Sequence, residues 1–291
     1  MLSKLEEGQD SVSEATFSAL SNHLPTSIAL YRRLQFMNMQ GGKTANSHVL
    51  SLFECPEIFT VAYLDFSRGP ETEMWIYSST ERLPGGEIEA RCQRQILEIL
   101  ERMRFIESSY VVANGARLTP GIVFIGSLHE KTLNFLEERQ RVNSVSEPFL
   151  KYVFKSVNLP PAIAFKDGDL DYSEIRKRDI PLVLSRSPIP RKERTVVLFP
   201  SVAIAVDDEP VAWGFLGADA SLTSLHVEEG RRGQGLAKAV ATKLFLDKAS
   251  IYGPEKLYHA DVGTKNLQSQ GVCKSLGGKA DFCVHWAWIR L

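Results

Sequence analysis

The sequence predicts an α+β protein built as two similar halves in tandem. Three observations carry that prediction. Short β-branched and aromatic runs alternate with stretches whose apolar residues recur at spacings of three and four, so strands and amphipathic helices share the chain. The order of these elements in residues 1–158 returns in residues 159–291, as a repeat of order and not of residues. Between the two runs lies a proline-punctuated stretch, Leu159-Pro160-Pro161 followed by Pro181, Pro188 and Pro190, and the domain boundary is expected at its beginning.

Along the first half, Ser11 to Gln40 reads as two helices, the second started by Pro25 in its first turn. Strands are expected at Val49–Phe53, Phe59–Leu64 and Met74–Ser78, separated by Pro56 and by the polar run after Phe66. From Glu87 to Arg104, Cys92, Ile96, Ile99, Leu100 and Met103 form one face of an amphipathic helix. Tyr110–Ala113 and Ile122–Ile125 read as strands and Glu130–Arg139 as a helix. In the second half strands are expected at Val196–Phe199, Val202–Val206, Val211–Leu216 and Leu222–Val227. A helix follows with Leu236, Ala237, Val240, Ala241, Leu244 and Phe245 in register. Then come a strand near Leu257–Asp261, a helix near Asn266–Leu276 ended by Gly277-Gly278, and a last strand at Phe282–Ile289.

The 291 residues carry Lys+Arg 34 against Asp+Glu 35, a formal net charge of −1, with 44% hydrophobic residues. That balance lacks the basic excess of a nucleic-acid-binding chain, so no nucleic-acid partner is expected. Cys55, Cys92, Cys273 and Cys283 are scattered, which suits a reducing compartment and suggests neither a disulfide scaffold nor a zinc module. The N-terminus is acidic and polar, and no window reaches the roughly 18 apolar residues of a membrane span. A cytoplasmic protein without a membrane partner is expected; organelle import stays open.

The chemistry concentrates in SLHVEEGRRGQGLAKAV, residues 224–240, where a strand meets a helix through a glycine-bearing turn. Gly233 and Gly235 permit a tight turn and a close approach to the main chain. The first N–H groups of the following helix lack internal partners and suit a phosphate. Arg231, Arg232 and Lys238 stand at the end of the helix where its dipole disfavours cations, unless an anion compensates. Without a ligand the same residues make a solvated loop. Neither the Walker pattern nor the dinucleotide GxGxxG fits, since Lys238 stands where the third glycine belongs.

Arg232-Gly233-Gln234-Gly235-Leu236-Ala237 resembles the R/Q-x-x-G-x-G/A signature of the GNAT superfamily of acyl-CoA-dependent N-acyltransferases. Asn266-x-x-Ser269 followed by Leu276-Gly277 resembles that family's second CoA-contacting segment. Residues 23–34, Pro210 to Trp213 and Trp286 to Trp288 are similar to segments of glycine N-acyltransferase-like proteins, which pair a degenerate N-terminal half with a competent C-terminal one. The resemblance implies two GNAT-like halves, each a mixed, mostly antiparallel sheet flanked by helices, residues 1–158 being degenerate. Residues 159–291 would hold acyl-CoA, acetyl-CoA or another, in a cleft between splayed strands, with a small amine as partner. It implies that main-chain N–H groups across Gly233–Lys238 donate to the CoA pyrophosphate and that Leu225 and Val227 bond the pantetheine arm. No metal is expected, and the oligomeric state stays open.

Attack of an amine on a thioester needs a base, an oxyanion donor and a path for the thiolate to leave. The resemblance puts the donor in the main chain near Leu225–Val227. Where many relatives carry a tyrosine acid, seven residues after the Asn, this chain has Cys273, which reads equally as a small buried hydrophobe. For the base, Glu228 is the first choice, with Glu229, Asp219 and His226 behind it; each also reads as an ordinary strand-end group. In the first half the corresponding turn is Arg82-Leu83-Pro84-Gly85-Gly86-Glu87. Pro84 removes an N–H donor and Glu87 adds a carboxylate, so only the C-terminal half is expected to bind CoA. A CoA-binding sensor without catalysis, or a site for another phosphate ligand such as a nucleotide, are the competing readings. Arg191-Lys192-Glu193-Arg194 reads as a solvated loop.

Overall fold

The computed structural model describes residues 5–9, 11–165, 170–187 and 189–291; Pro188 of the proline-punctuated stretch lies outside the described residues. The chain divides into two compact units, one made of the residues up to Phe149 together with Phe282–Leu291, the other of Leu150–Asp281. The boundary read from sequence, after residue 158, falls inside the second unit.

The first stretch of chain forms β1 (Glu6–Gly8), α1 (Glu14–Ser21), α2 (Ile28–Phe36), β2 (Ser47–Cys55), β3 (Ile58–Asp65), β4 (Met74–Ser78), α3 (Ala90–Asn114), β5 (Ile122–His129), α4 (Glu130–Glu138) and β6 (Val142–Val145). Then follow β7 (Phe149–Lys155), β8 (Asp171–Ser173), α5 (Ile180–Arg186), α6 (Glu193–Val196), β9 (Ser201–Val206), β10 (Glu209–Leu216), β11 (Leu222–Val227), α7 (Leu236–Asp247), β12 (Leu257–Gly263) and α8 (Leu267–Ser275). The chain closes with β13 (Lys279–Arg290). Among the described residues no helix is long and apolar enough to cross a membrane.

In the first unit the strand order is β1-β2-β3-β4-β5-β13, with β6 also on β13. The pairings are antiparallel except for β4 with β5, which is parallel at Met74 and Ile125. Helix α3 lays Cys92, Ile96, Ile99, Leu100 and Met103 on the sheet, all fully buried. It runs on through Tyr110–Ala113, where a strand was expected. The reason is register: Ile106 and Tyr110, spaced by four, continue the same buried stripe, and that packing overrides the β propensity of Tyr-Val-Val until Gly115 stops the helix at φ 86°. The strand expected to close the second half instead supplies Ala287, Ile289 and Leu291 to the core of the first unit. Pro25 precedes α2 in a turn rather than opening the helix.

The second unit contains an antiparallel sheet of order β11-β10-β9-β8 and, apart from it, the pair β7 with β12. The strand expected at Val196–Phe199 is the end of α6 and a following turn, closed by Val196 N–H to Lys192 O at 3.2 Å and Leu198 N–H to Thr195 O at 3.1 Å. Pro200 intervenes, and the ladder starts at Ser201. On α7, Leu236, Val240, Leu244 and Phe245 are buried, and the Phe245 ring stacks on Tyr258 of β12 at 4.8 Å. At roughly 1.5–3 kcal/mol per large apolar side chain buried, this stripe anchors the helix whose N-terminus matters below.

Candidate functional site

Strand β11 is an edge. On one side it pairs with β10; on the other it meets β12 through a single parallel bridge, Ser221 to His259, and among the described residues no further bridge joins the two. Beyond that bridge the outer N–H and C=O groups of β11 have no ladder partner, the condition under which an extended ligand can bond to a strand. A bulge shapes this edge: Ser224 sits at φ 50° and the register slips opposite Trp213 and Phe215. As a result Leu222 and Leu225 both face Gly214. A Cβ there would lie 3.1 Å from Val240 Cγ1 and 3.2 Å from Leu225 Cδ1, so glycine lets α7 press onto the sheet. His226 takes the other direction and stacks on Trp213 at 4.6 Å.

After β11 the chain makes a single 3-10 turn, Glu229–Arg231, and the Arg232 guanidinium donates from Nε to Val227 O at 3.2 Å. Gly233 and Gly235 lie at φ 77° and 79°, left-handed backbone that glycine adopts without strain. A Cβ on either would meet no atom within 4 Å, so the space in front of the turn is open. Gly235 is the N-cap of α7 and offers no side chain to its first-turn N–H groups, and no acidic residue stands in that turn. Leu236 is buried, whereas Arg232, Gly233, Gln234 and Gly235 are exposed and Ala237 and Lys238 half-buried. An uncapped, cation-bearing helix start facing open space is electrostatically suited to an anion.

Across the unit, Asn266 caps α8, its Oδ1 accepting from Ser269 N–H at 3.0 Å. Gln270 Nε2 donates to Gly263 O at 3.2 Å and Thr264 O at 2.9 Å, tying α8 to the end of β12. One helical turn on, Cys273 is buried, 3% exposed. Burial first, and then the Asp261 carboxylate, push its thiol up to about 12. It therefore keeps its proton through neutral pH.

Glu228 Oε1 accepts from Arg186 Nε at 3.0 Å and lies 3.7 Å from His226 Nε2. The imidazole is pushed below its ordinary range, chiefly by burial, with Arg232 and Arg186 working in the same direction and Glu228 against it. His226 Nε2 is buried without a hydrogen-bond partner. A neutral ring whose Nε2 has no partner, beside the Glu228 side chain, can take a proton. Asp219 is buried and accepts from Ser221 Oγ at 2.6 Å and Ser221 N–H at 3.1 Å. In the run expected to be a solvated loop, Lys192, Glu193 and Arg194 are exposed, Glu193 opening α6, whereas Arg191 Nη2 donates to Thr223 Oγ1 of β11 at 2.8 Å, a placement no local sequence signal announced. Among the described residues no group of His, Cys, Asp or Glu could hold a metal ion.

The first unit repeats the plan with different chemistry. After β4 comes a 3-10 turn, Ser79–Arg82, then a loop, then α3, whose N-cap is Glu89. Glu87 is exposed, while Glu81, which sequence reasoning passed over, is buried in the turn and accepts from Thr132 Oγ1 at 2.6 Å and Ser78 N–H at 3.3 Å. Glu87 and the N-cap Glu89 set two carboxylates at the start of α3, where they oppose an anionic ligand.

The sequence matches the family model described as the acyl-CoA N-acyltransferase verG N-terminal domain over residues 4–152. No curated protein matches it. Among solved structures, a Drosophila protein is similar at TM-score 0.65 and 14% identity, covering 98% of both chains. The tandem GNAT protein from the clavulanic acid biosynthesis pathway aligns at TM-score 0.52 and 9% identity over 99% of this chain and 98% of its own. A GCN5-related N-acetyltransferase from Sphaerobacter thermophilus aligns at TM-score 0.52 and 11% identity over 99% and 95%. At such identities the likeness is one of fold, and the fold is that of two GNAT halves in tandem.

Proposed function

The chain belongs to the acyl-CoA N-acyltransferase verG family, and on that premise we propose that its second unit transfers a short acyl group, acetyl first among them, from acyl-CoA to the amine of a small molecule or amino acid. The observation that carries the reading is the pairing of an open-edged β11 with an uncapped glycine turn at the start of α7. The first can bond the pantetheine arm at Leu225 and Val227. The second can take the diphosphate across Arg232, Gly233, Gln234, Gly235, Leu236, Ala237 and Lys238. Asn266 and Ser269 would flank the arm from α8. The small acceptor follows the resemblance to glycine N-acyltransferase-like proteins.

In the reaction the neutral amine attacks the thioester carbonyl, the C–N bond forms, and the C–S bond breaks to release the CoA thiolate. The amine proton goes to His226, whose ring is neutral at pH 7 and whose Nε2 has no hydrogen-bond partner, with Glu228 beside it to stabilise the imidazolium. Glu228 alone is the weaker base because Arg186 already engages it. The thiolate, of pKa near about 8.5, leaves without obligatory protonation, and Cys273 contributes packing. The test is direct: incubation with acetyl-CoA and a panel of amines and amino acids, following free thiol. Amine-dependent thiol release supports transfer; acetyl-CoA binding without release under any amine favours the second reading, a CoA-binding sensor. The pushed-up thiol of Cys273, at the place of a proton donor, is the observation on the sensor's side.

A further inference from the structure

Beneath the bridge where β11 and β12 part lies a cluster of charged side chains that this chemistry does not use. Lys151 of β7 is 1% exposed, His259 of β12 fully buried, and Asp219, in the turn entering β11, 5% exposed. Lys151 Nζ lies 2.6 Å from Asp261 Oδ1 and 2.9 Å from Oδ2, and 3.2 Å from His259 Nδ1. His259 Nε2 donates to the Asp219 main-chain carbonyl at 2.7 Å, and Asp219 Oδ1 in turn accepts from Ser221 Oγ at 2.6 Å. A carbonyl only accepts, so Nε2 keeps its hydrogen. A single N–H can then lie between His259 Nδ1 and Lys151 Nζ, and the pair carries one positive charge against two carboxylates.

Charges taken this far out of water cost several kcal/mol each and return little net stability, since apolar residues of equal volume often serve as well. What they supply is directional constraint. Lys151 ties β7 to β12, His259 ties β12 to the turn before β11, and Ser221, joined to Asp219, is the residue that bridges to His259. The cluster therefore occupies the apex of the wedge formed by β11 and β12. Cys273 of α8 lies close enough to Asp261 to feel its charge.

We propose that Lys151, His259, Asp261 and Asp219 are positioning residues for acyl transfer: they fix the angle at which β11 leaves β12, and so the place of the β11 edge donors against the thioester carbonyl. This rests on the acyltransferase reading above. None of the four touches the substrate; they act through the main chain of β11. A displacement of about 1 Å at such donors costs up to about a hundredfold in rate.

The experiment compares the parent with Lys151→Met, His259→Leu and His259→Gln. Gln places an amide N–H near the position of Nε2 and so restores the bond to Asp219 O. Steady-state kcat and KM for acetyl-CoA are measured with the calorimetric Kd for CoA. The expected result is a loss of about 10- to 100-fold in kcat for Lys151→Met and His259→Leu, with a smaller change in CoA Kd, at most about tenfold, because the diphosphate seat at the start of α7 lies elsewhere and only the pantetheine bonds to β11 shift, and substantial recovery of kcat in His259→Gln. Folded variants with the parent's kcat, or a His259→Gln no better than His259→Leu, overturn the role. Because a variant can fail to fold, the parent is also examined by nitrogen NMR with labelled histidine. One ring must hold the Nε2–H form unchanged from about pH 5.5 to 8.5, and an ordinary imidazole titration of His259, centred near about 6.5, overturns the proposal. A parent that binds no acetyl-CoA overturns the acyltransferase reading and this role together, and is distinguished by that absence from failure of the cluster alone.

Discussion

Replacement of Glu81 by Gln tests how the first unit handles the turn that the second unit leaves open. Burial raises the Glu81 carboxyl from 4.5 to about 8, against the opposing effect of the Thr132 and Ser78 bonds and of Lys131. In the unfolded chain the group ionises near its ordinary value. Between those two values the folded state binds more protons, so the group's contribution to stability is complete below about 4.5 and is lost as pH rises to about 8. The displacement corresponds to on the order of 4 kcal/mol at the alkaline end. Gln keeps an acceptor for Thr132 and Ser78 and cannot ionise, so the variant lacks this slope. At about 2–4 °C per kcal/mol for a protein this large, the Gln variant should melt about 8 °C or more above the parent at pH 8.5 and nearly with it at pH 5. Scanning calorimetry across that range, following the transition of the first unit, is the assay. Parallel melting curves at every pH, or a Gln variant that is less stable at pH 8.5, would refute the reasoning and place Glu81 in contact with water or an unrecognised cation.

The remaining expectations concern the second unit. Because burial lowers the His226 pKa, kcat/KM should stay level down through an ordinary histidine value of 6.5 and fall only below it; His226→Asn should remove that acid limb and lower the rate about 10²- to 10⁴-fold, and an unchanged limb in the variant would exclude His226 as the base. Cys273→Ala should lose about 1–2 kcal/mol of stability with initial rates within about twofold of the parent, and total loss of activity with CoA binding intact would restore a chemical role to the thiol. Gly233→Ala forces a side chain into left-handed backbone and should cost about 1–2 kcal/mol in thermal unfolding; no change would show that the turn is not held at φ 77° in solution.

Much of this architecture is legible in the sequence because it is written in local patterns. The stripe at Leu236, Val240 and Leu244, the short apolar run of β10 and the glycine pair of the turn each need only a few neighbouring residues to be read, and the tandem plan follows from their order. At Tyr110–Ala113 the residues that decide the structure, Ile106 and the core beneath, lie outside the window in which β propensity is judged. β13 is a strand as expected, but its place beside β5 and β6, more than a hundred residues away, carries no local signal, and at Val196–Phe199 backbone bonds to Lys192 and Thr195 outweigh an apolar run. At the site, the phosphate-suited turn was visible as misplaced positive charge. The ranking of bases was not, since it depends on Arg186 reaching Glu228 from another element and on Trp213 covering one face of His226. Lys151 and Glu81 carried no sequence signal, for a charged residue in a strand or turn reads as exposed until its partners are seen.

The measurement that bears most directly on the central claim is calorimetric titration of the full chain with acetyl-CoA, beside a Gly235→Glu variant. Position 235 has open space around it, so the variant sets a carboxylate at the uncapped start of α7 without meeting a core atom, at a backbone strain of about 1–2 kcal/mol from φ 79°. One site per chain in the parent, lost in the variant, is the predicted result. Two sites per chain, a site that survives in Gly235→Glu, or no binding to the parent would contradict the assignment of the acyl-CoA seat to the second unit.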